Sequence, residues 1–201
     1  IGTFGIDLAA MSMFLYAFRE REQIPDTLEL CSGQRMMTTF IRPGGLWRDV
    51  PVEFEAAVRD FIKTFPRRID EYEALLTKNP ILLDRLLGIG KLDAATALQH
   101  GVTGPMLRAS GVKWDLRKAQ PYECYSEMDF DIPVGKHGDC YDRYLIRMEE
   151  MRQSVKIMKQ ACEKLQSEGG KGPISAENQK VVPPKRGDMK RSMEALIHHF
   201  K

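Results

Sequence analysis

The stretch from Gly138 to Leu165 constrains the fold more than any other part of the chain. It contains neither glycine nor proline after Gly138, so nothing in it interrupts a helix. Tyr144, Met148, Met151, Val155, Met158, Cys162 and Leu165 recur at steps of three and four, which places one apolar stripe along one side. Arg147, Glu150, Lys156 and Lys159 fill the other side. Asp139 and Asp142 suit the first turn, where side-chain oxygens accept orphan backbone N–H groups. Such a helix is roughly 40 Å long at about 1.5 Å per residue. A helix of that reach is a spine, and other helices must pack on it.

The surrounding sequence reads as further helices. Residues 3–24 form the first, with Leu8, Met11, Phe14, Leu15 and Phe18 on its apolar face. Arg19-Glu20-Arg21-Glu22 is a solvated end of mixed sign, and Pro25 is the stop. Asp26 caps a second helical stretch ending near Ser32-Gly33. Residues 34–41 are rich in Thr, Phe and Ile and read as extended. Arg42-Pro43-Gly44-Gly45 is a turn signal. A helix from Val50-Pro51 runs to about Lys78, with Pro66 expected to kink it. Asp93 to His100 is short and closed by Gly101. From Gly101 to Gly138 periodicity is lost, and a structureless segment of that length points to function. Ser167 to Pro184 reads as a polar linker containing Gly169-Gly170, and a last helix starts near Gly187. The fold class is therefore mainly α, a helix bundle with irregular loops, in a single domain over residues 1–201.

Composition narrows the chemistry. A net charge of +2 compels no nucleic-acid partner, and 43% hydrophobic residues are ordinary for a globular chain. No apolar run reaches the roughly 18 residues that a membrane span requires. The four cysteines form no C-x-x-C pair and read as buried, reduced thiols. Glycine-rich phosphate loops and G-x-S-x-G elbows are absent. His198 and His199 are adjacent, so a helix points them about 100° apart and they do not form a metal pair. Arg42, Arg48, Arg108, Lys113, Arg117, Lys118, Lys136 and Arg143 lie in or beside loops, where solubility or partner salt bridges account for them. Asp7 stands among Ile6, Leu8, Ala9, Ala10 and Met11. It is either on the wet side of its helix or buried with a partner, and a buried carboxylate is a candidate for proton transfer. The chain opens and stops inside expected helices, which points to a piece of a longer protein or to completion by partners.

Several strings together resemble one family. They are Arg42-Pro43-Gly44-Gly45, Phe65-Pro66-Arg67-Arg68-Ile69-Asp70-Glu71-Tyr72, and Leu107 through Lys118 (LRASGVKWDLRK). Gln120-Pro121-Tyr122, Gly138 through Tyr144 (GDCYDRY), Met148 through Ser154 (MEEMRQS) and Pro183-Pro184-Lys185-Arg186 continue the series. In this order they resemble the D-type core subunits of NADH–quinone oxidoreductase, the hydrogenase-large-subunit-like family at the quinone site of respiratory complex I. The resemblance runs over essentially the whole chain.

It implies a mainly helical bundle with a β part, related to the large subunit of nickel–iron hydrogenases. It implies a core subunit of a proton-pumping NADH:ubiquinone oxidoreductase that is not catalytic alone. No cofactor is expected in this chain. The terminal [4Fe–4S] cluster belongs to a neighbouring small subunit, and ubiquinone is reduced at the interface. The membrane-arm subunit of the quinone channel is a further implied partner. The family's quinone ligands, a His and a Tyr, come from an N-terminal region that this chain lacks, and a C-terminal β part is also missing; either another chain supplies them or the sequence is a piece of a longer one. Asp7 matches the acidic residue that pairs with that His, and Thr3 matches a threonine lining the pocket. Met37 stands where the family usually has a His near the terminal cluster, and Phe4 where it often has another His. The implied location is the matrix side of the inner mitochondrial membrane, with the bacterial cytoplasmic membrane as the alternative. Two rivals are a membrane-bound nickel–iron hydrogenase large subunit and a non-catalytic structural paralogue.

Overall fold

The computed structural model describes residues 1–167, 172–178 and 180–200. The Gly169-Gly170 pair of the expected linker, and Lys201, lie outside them. The described residues gather into two compact units: Ile1–Arg21 with Val58–Glu163, and Glu22–Ala57 with Lys164 onward. The fold is mainly α, as expected, with a single two-stranded sheet among the described residues. Among those residues no helix is long and apolar enough to cross a membrane.

The chain begins with two helices, α1 (Gly2–Asp7) and α2 (Met11–Ser32). The sequence places one helix over 3–24, broken at Pro25. The break instead falls at Leu8–Ala10, and Pro25 lies inside α2. Three residues make the turn, and Ala9 takes φ 60°. The Ala10 N–H donates to the Gly5 carbonyl at 2.7 Å and the Ala9 N–H to the Ile6 carbonyl at 2.8 Å. These are the paired bonds of a Schellman motif, whose left-handed position is usually glycine. Alanine is a good helix former, so composition gives no warning of this break. At Pro25 the missing N–H removes one helix hydrogen bond, and the turns on either side hold.

The first unit is built on α8 (Cys140–Ser167), which contains the expected spine. Asp139 caps it: its Oδ1 accepts from the Asp142 N–H at 2.9 Å. Tyr144, Met148 and Cys162 of the expected stripe are buried. Tyr144 and Met148 belong to a core with Met13 of α2, Ile69, Tyr72 and Leu76 of α3 (Val52–Leu76), and Leu82 and Leu86 of α4 (Pro80–Leu86); Cys162 lies outside that cluster. Helix α4 has no counterpart in the pattern of the sequence. Its start is marked by Asn79, whose side chain accepts from the Ile81 N–H, and by Pro80 in the first turn. Pro66 lies within α3, which continues past it.

The region 101–138 is not structureless. After α5 (Ala94–Gln99) it contains α6 (Gly104–Ala109), α7 (Leu116–Ala119) and a 3₁₀ turn at Tyr125–Glu127. Each piece is too short for a periodic signal. The residues that follow run along α8 and are fastened by side chains. Gln160 accepts from the Asp129 N–H at 2.8 Å, Gln153 accepts from the Asp131 N–H at 2.9 Å, and Lys156 pairs with Asp129 at 2.8 Å. Thus α8 is covered on a second side, which a single apolar stripe does not announce.

The second unit holds the end of α2, a hairpin of β1 (Ile41–Arg42) and β2 (Gly45–Leu46), and the helices α9 (Arg186–Met189) and α10 (Met193–His199). Of the expected extended run 34–41, only Ile41 is in a strand. Gly45 bridges to Ser175, and a Cβ there would meet the Ile174 carbonyl oxygen at 2.4 Å, so only glycine fits. Arg48 donates to the Leu30 and Cys31 carbonyls at 2.8 Å each, closing the end of α2. Arg42 and Arg48 flank the Trp47 ring at 5.3 and 5.0 Å.

Candidate functional site: the outward face of the first helix

Helix α1 is seated by its small residues. Gly2 and Gly5 are buried, and Ile1, Phe4 and Leu8 pack against the core of the first unit. A Cβ at Gly2 would lie 3.0 Å from the Ala17 Cβ, and one at Gly5 would lie 3.0 Å from the Met13 Cβ. The backbone of α1 therefore rests directly on α2. With that face consumed, the helix turns the other outward. Thr3 and Asp7 lie one turn apart on it, and both are exposed. Of the two readings open for Asp7, the wet one holds. Its carboxylate has no hydrogen-bond or ion-pair partner among the described residues. Ile6 next to it, and Met11 and Leu15 in the first turns of α2, are exposed apolar side chains.

Met37 belongs to the second unit. It is 82% exposed on an irregular loop after α2, and Met36 beside it is also exposed. Arg35 fastens that loop by ion pairs to Glu22, Asp26 and Glu29 of α2. The thioether of Met37 accepts hydrogen bonds weakly and has no proton to exchange.

Other charged residues are turned inward, and most of them carry no signal in the sequence. Arg108 is 6% exposed. It donates to the Trp114 carbonyl at 3.2 Å and to Glu150, and it lies 3.8 Å from Asp115. Asp115 caps α7 and is gripped by Arg117 at 2.7 and 3.1 Å. That hydrogen-bonded guanidinium holds the Asp115 carboxyl below its usual range. Asp142 accepts from the backbone N–H groups of Lys136 at 2.7 Å and His137 at 2.5 Å. Burial opposes its charge, but the His137 and Lys136 donors outweigh burial and its pKa lies below the ordinary value. Asp139, besides capping α8, accepts from the Gly88 N–H at 2.8 Å. Arg143 donates to the Gly138 and Gly90 carbonyls at 2.9 and 2.7 Å. Much of the loop charge is thus internal bracing rather than a solubility coat.

Glu20 corrects the expectation of a solvated end. It is 2% exposed, paired with Arg19 at 2.5 Å and lying 3.3 Å from Arg68 of α3. Burial, and then the Glu20 charge, push the neighbouring Tyr72 hydroxyl up to about 12. A charge run at a helix end looks alike whether it faces water or another helix. Only the partner cation on α3, distant in sequence, separates the two cases.

The cysteines form no disulfide; Cys31 and Cys162 are buried and Cys140 half-buried, while Cys124 is exposed, contrary to the expectation of four buried thiols. Among the described residues no three His, Cys, Asp or Glu side chains converge where they could hold a metal ion.

Residues 7–201 match the family described as respiratory-chain NADH dehydrogenase, 49 Kd subunit. The chain belongs to that family. Among its relatives, a D-type subunit of the NADH-quinone oxidoreductase of Chloroflexus aurantiacus is 57% identical over 201 residues, all of this chain and 49% of the relative. The corresponding subunit of Roseiflexus castenholzii is 56% identical, over 48% of its length. That of Burkholderia vietnamiensis is 51% identical, with 54% of its length covered. The chain thus spans about half the length of these relatives. Its residues fit the 49 kDa family from Asp7 onward, and the relatives extend the match through Thr3 to Ile1.

Proposed function

We propose that this chain is part of the quinone-reduction site of a proton-translocating NADH:quinone oxidoreductase, with Asp7 acting on an imidazole supplied from outside it. The observation that carries the reading is the outward pair Thr3 and Asp7 on a helix seated firmly against α2, in a chain of the 49 kDa family. Asp142 and Asp115 are consumed by their own surroundings. Asp7 is left available to a group beyond the chain.

Reduction of a quinone to a quinol takes two electrons and two protons. The terminal [4Fe–4S] cluster of a neighbouring subunit would supply the electrons. Asp7 would accept the N–H of the quinone-ligating His, fix its tautomer and raise its basicity, as carboxylates do for metal-bound imidazoles. After that His gives its proton to the quinone oxygen, the adjacent carboxylate favours its reprotonation. Thr3 would line the same pocket one turn away, and Ile6 offers an apolar side chain to the ring. Met37 would stand toward the terminal cluster. Because it exchanges no proton there, the cluster potential should vary less with pH than in members that carry the His. Met37→His should steepen that dependence in a redox titration across several pH values; an unchanged slope would remove Met37 from the cluster's surroundings.

In this reading the chain sits on the peripheral arm, next to the membrane. Its partners are an iron–sulfur small subunit, the membrane-arm quinone-channel subunit and a segment bearing the His and Tyr. The Chloroflexus, Roseiflexus and Burkholderia relatives are bacterial, which favours the bacterial cytoplasmic membrane over the mitochondrial one. Native purification from membranes with mass spectrometry tests the assembly. Co-purification with NADH-oxidising flavoprotein and iron–sulfur subunits is expected, and recovery of the chain alone would contradict it.

A further inference from the structure

The position of Thr3 and Asp7 depends on contacts that neither residue makes. At the start of helix α1, Gly2 lies against α2, where an added Cβ would come within 3.0 Å of the Ala17 Cβ and 3.3 Å of the Phe18 ring. At its end the turn through Ala9 is closed by the Ala10-to-Gly5 and Ala9-to-Ile6 hydrogen bonds. The Met13 side chain, buried in the core, presses the same backbone at Gly5. The backbone of α1 is thus held in close contact with α2 at Gly2 and Gly5.

We infer that Gly2 and Ala17 are positioning residues for the quinone pocket: their close approach sets how far Thr3 and Asp7 stand from a bound quinone head group. The inference rests on the functional reading given above. A Cβ at a 3.0 Å contact forces the partners apart by a few tenths of an ångström, because neither Ala17 nor the backbone of α1 can rotate away. A merely structural contact would change how much complex assembles. A positioning contact changes how the assembled complex meets its quinone.

The test is made on the assembled oxidoreductase in membranes, with decylubiquinone as the probe and NADH:ferricyanide activity as the measure of assembled enzyme. Gly2→Ala should raise KM for decylubiquinone roughly threefold to tenfold and lower kcat as Asp7 shifts with Thr3, leaving ferricyanide activity near its starting value. Moving the glycine to the other helix, in the double variant Gly2→Ala with Ala17→Gly, removes the clashing Cβ and should return KM to within about twofold of the starting value. If Gly2→Ala does not assemble, Ala17→Val adds two γ carbons on the α2 side, whose single preferred helical rotamer limits escape from the contact, and carries the same expectation. An unchanged KM in these single variants, or a raised KM that the double variant does not restore, overturns the inference. Asp7→Asn separates this from the underlying reading. If Asp7→Asn lowers quinone reduction while Gly2→Ala does not alter KM, only the positioning inference is lost. If Asp7→Asn has no effect, the site itself is misassigned.

Discussion

Two helix-borne carboxylates of the first unit, Asp7 and Asp142, have opposite fates. Asp142 is 7% exposed and accepts two backbone N–H groups from the segment that leads into α8. Asp7 is exposed and accepts nothing from the described residues. The difference lies in what their helices do with the opposite face. Helix α8 is covered on more than one side, so its first-turn acids meet other backbone. Helix α1 spends its small residues, Gly2 and Gly5, on contact with α2 and leaves the acid outside. A carboxylate already satisfied by its own chain is architecture. Asp7 has no such partner among the described residues and keeps its capacity to accept a hydrogen bond.

The largest effect that would sharpen this contrast belongs to the buried side. Arg108→Ala leaves Glu150 without its cation and Asp115 with Arg117 alone, and should destabilise the first unit by about 2–3 kcal/mol, read as a loss of thermal stability. A loss below about 1 kcal/mol would mean that this ion-pair cluster is not structural. Next comes pH. Asp142 and Asp115 have folded pKa values below their ordinary ones, so their stabilisation is present above about pH 4 and is lost as pH falls through the folded values. Asp142→Asn should make acid unfolding shallower below about pH 4; an unchanged acid limb would break the assignment. The smallest effect is at the turn. Ala9 holds φ 60°, where alanine is disfavoured, so Ala9→Gly should stabilise by roughly 0.5–1 kcal/mol, the relief offset in part by glycine's greater unfolded entropy. A drop in melting temperature would show that the turn is not strained.

Much of the helical frame was legible in the sequence, because long apolar periodicities survive burial. The α8 spine, its Asp139 cap and the α3 stripe through Phe61, Ile69, Tyr72 and Leu76 are of this kind. What was not legible depends on partners far along the chain. Pro25 reads as a stop and is tolerated, while the real break at Ala9 is made by a residue that favours helices. Glu20 reads as solvated until Arg68 is seen against it. The segment 101–138 reads as a loop because its pieces are a few residues long and are held by Gln153, Gln160, Lys156 and Arg108 rather than by apolar pattern. For the candidate site, the exposed Asp7 and Thr3 gave only a helical spacing. Their significance came from the resemblance, and the seating of α1 on α2 came from the structure.

The most direct test of the central claim is Asp7→Asn in the assembled complex, with quinone reduction measured against NADH:ferricyanide activity. The account predicts a fall in quinone reductase activity of roughly tenfold to a hundredfold, with ferricyanide activity unchanged. Full quinone reductase activity in a normally assembled Asp7→Asn complex would contradict it.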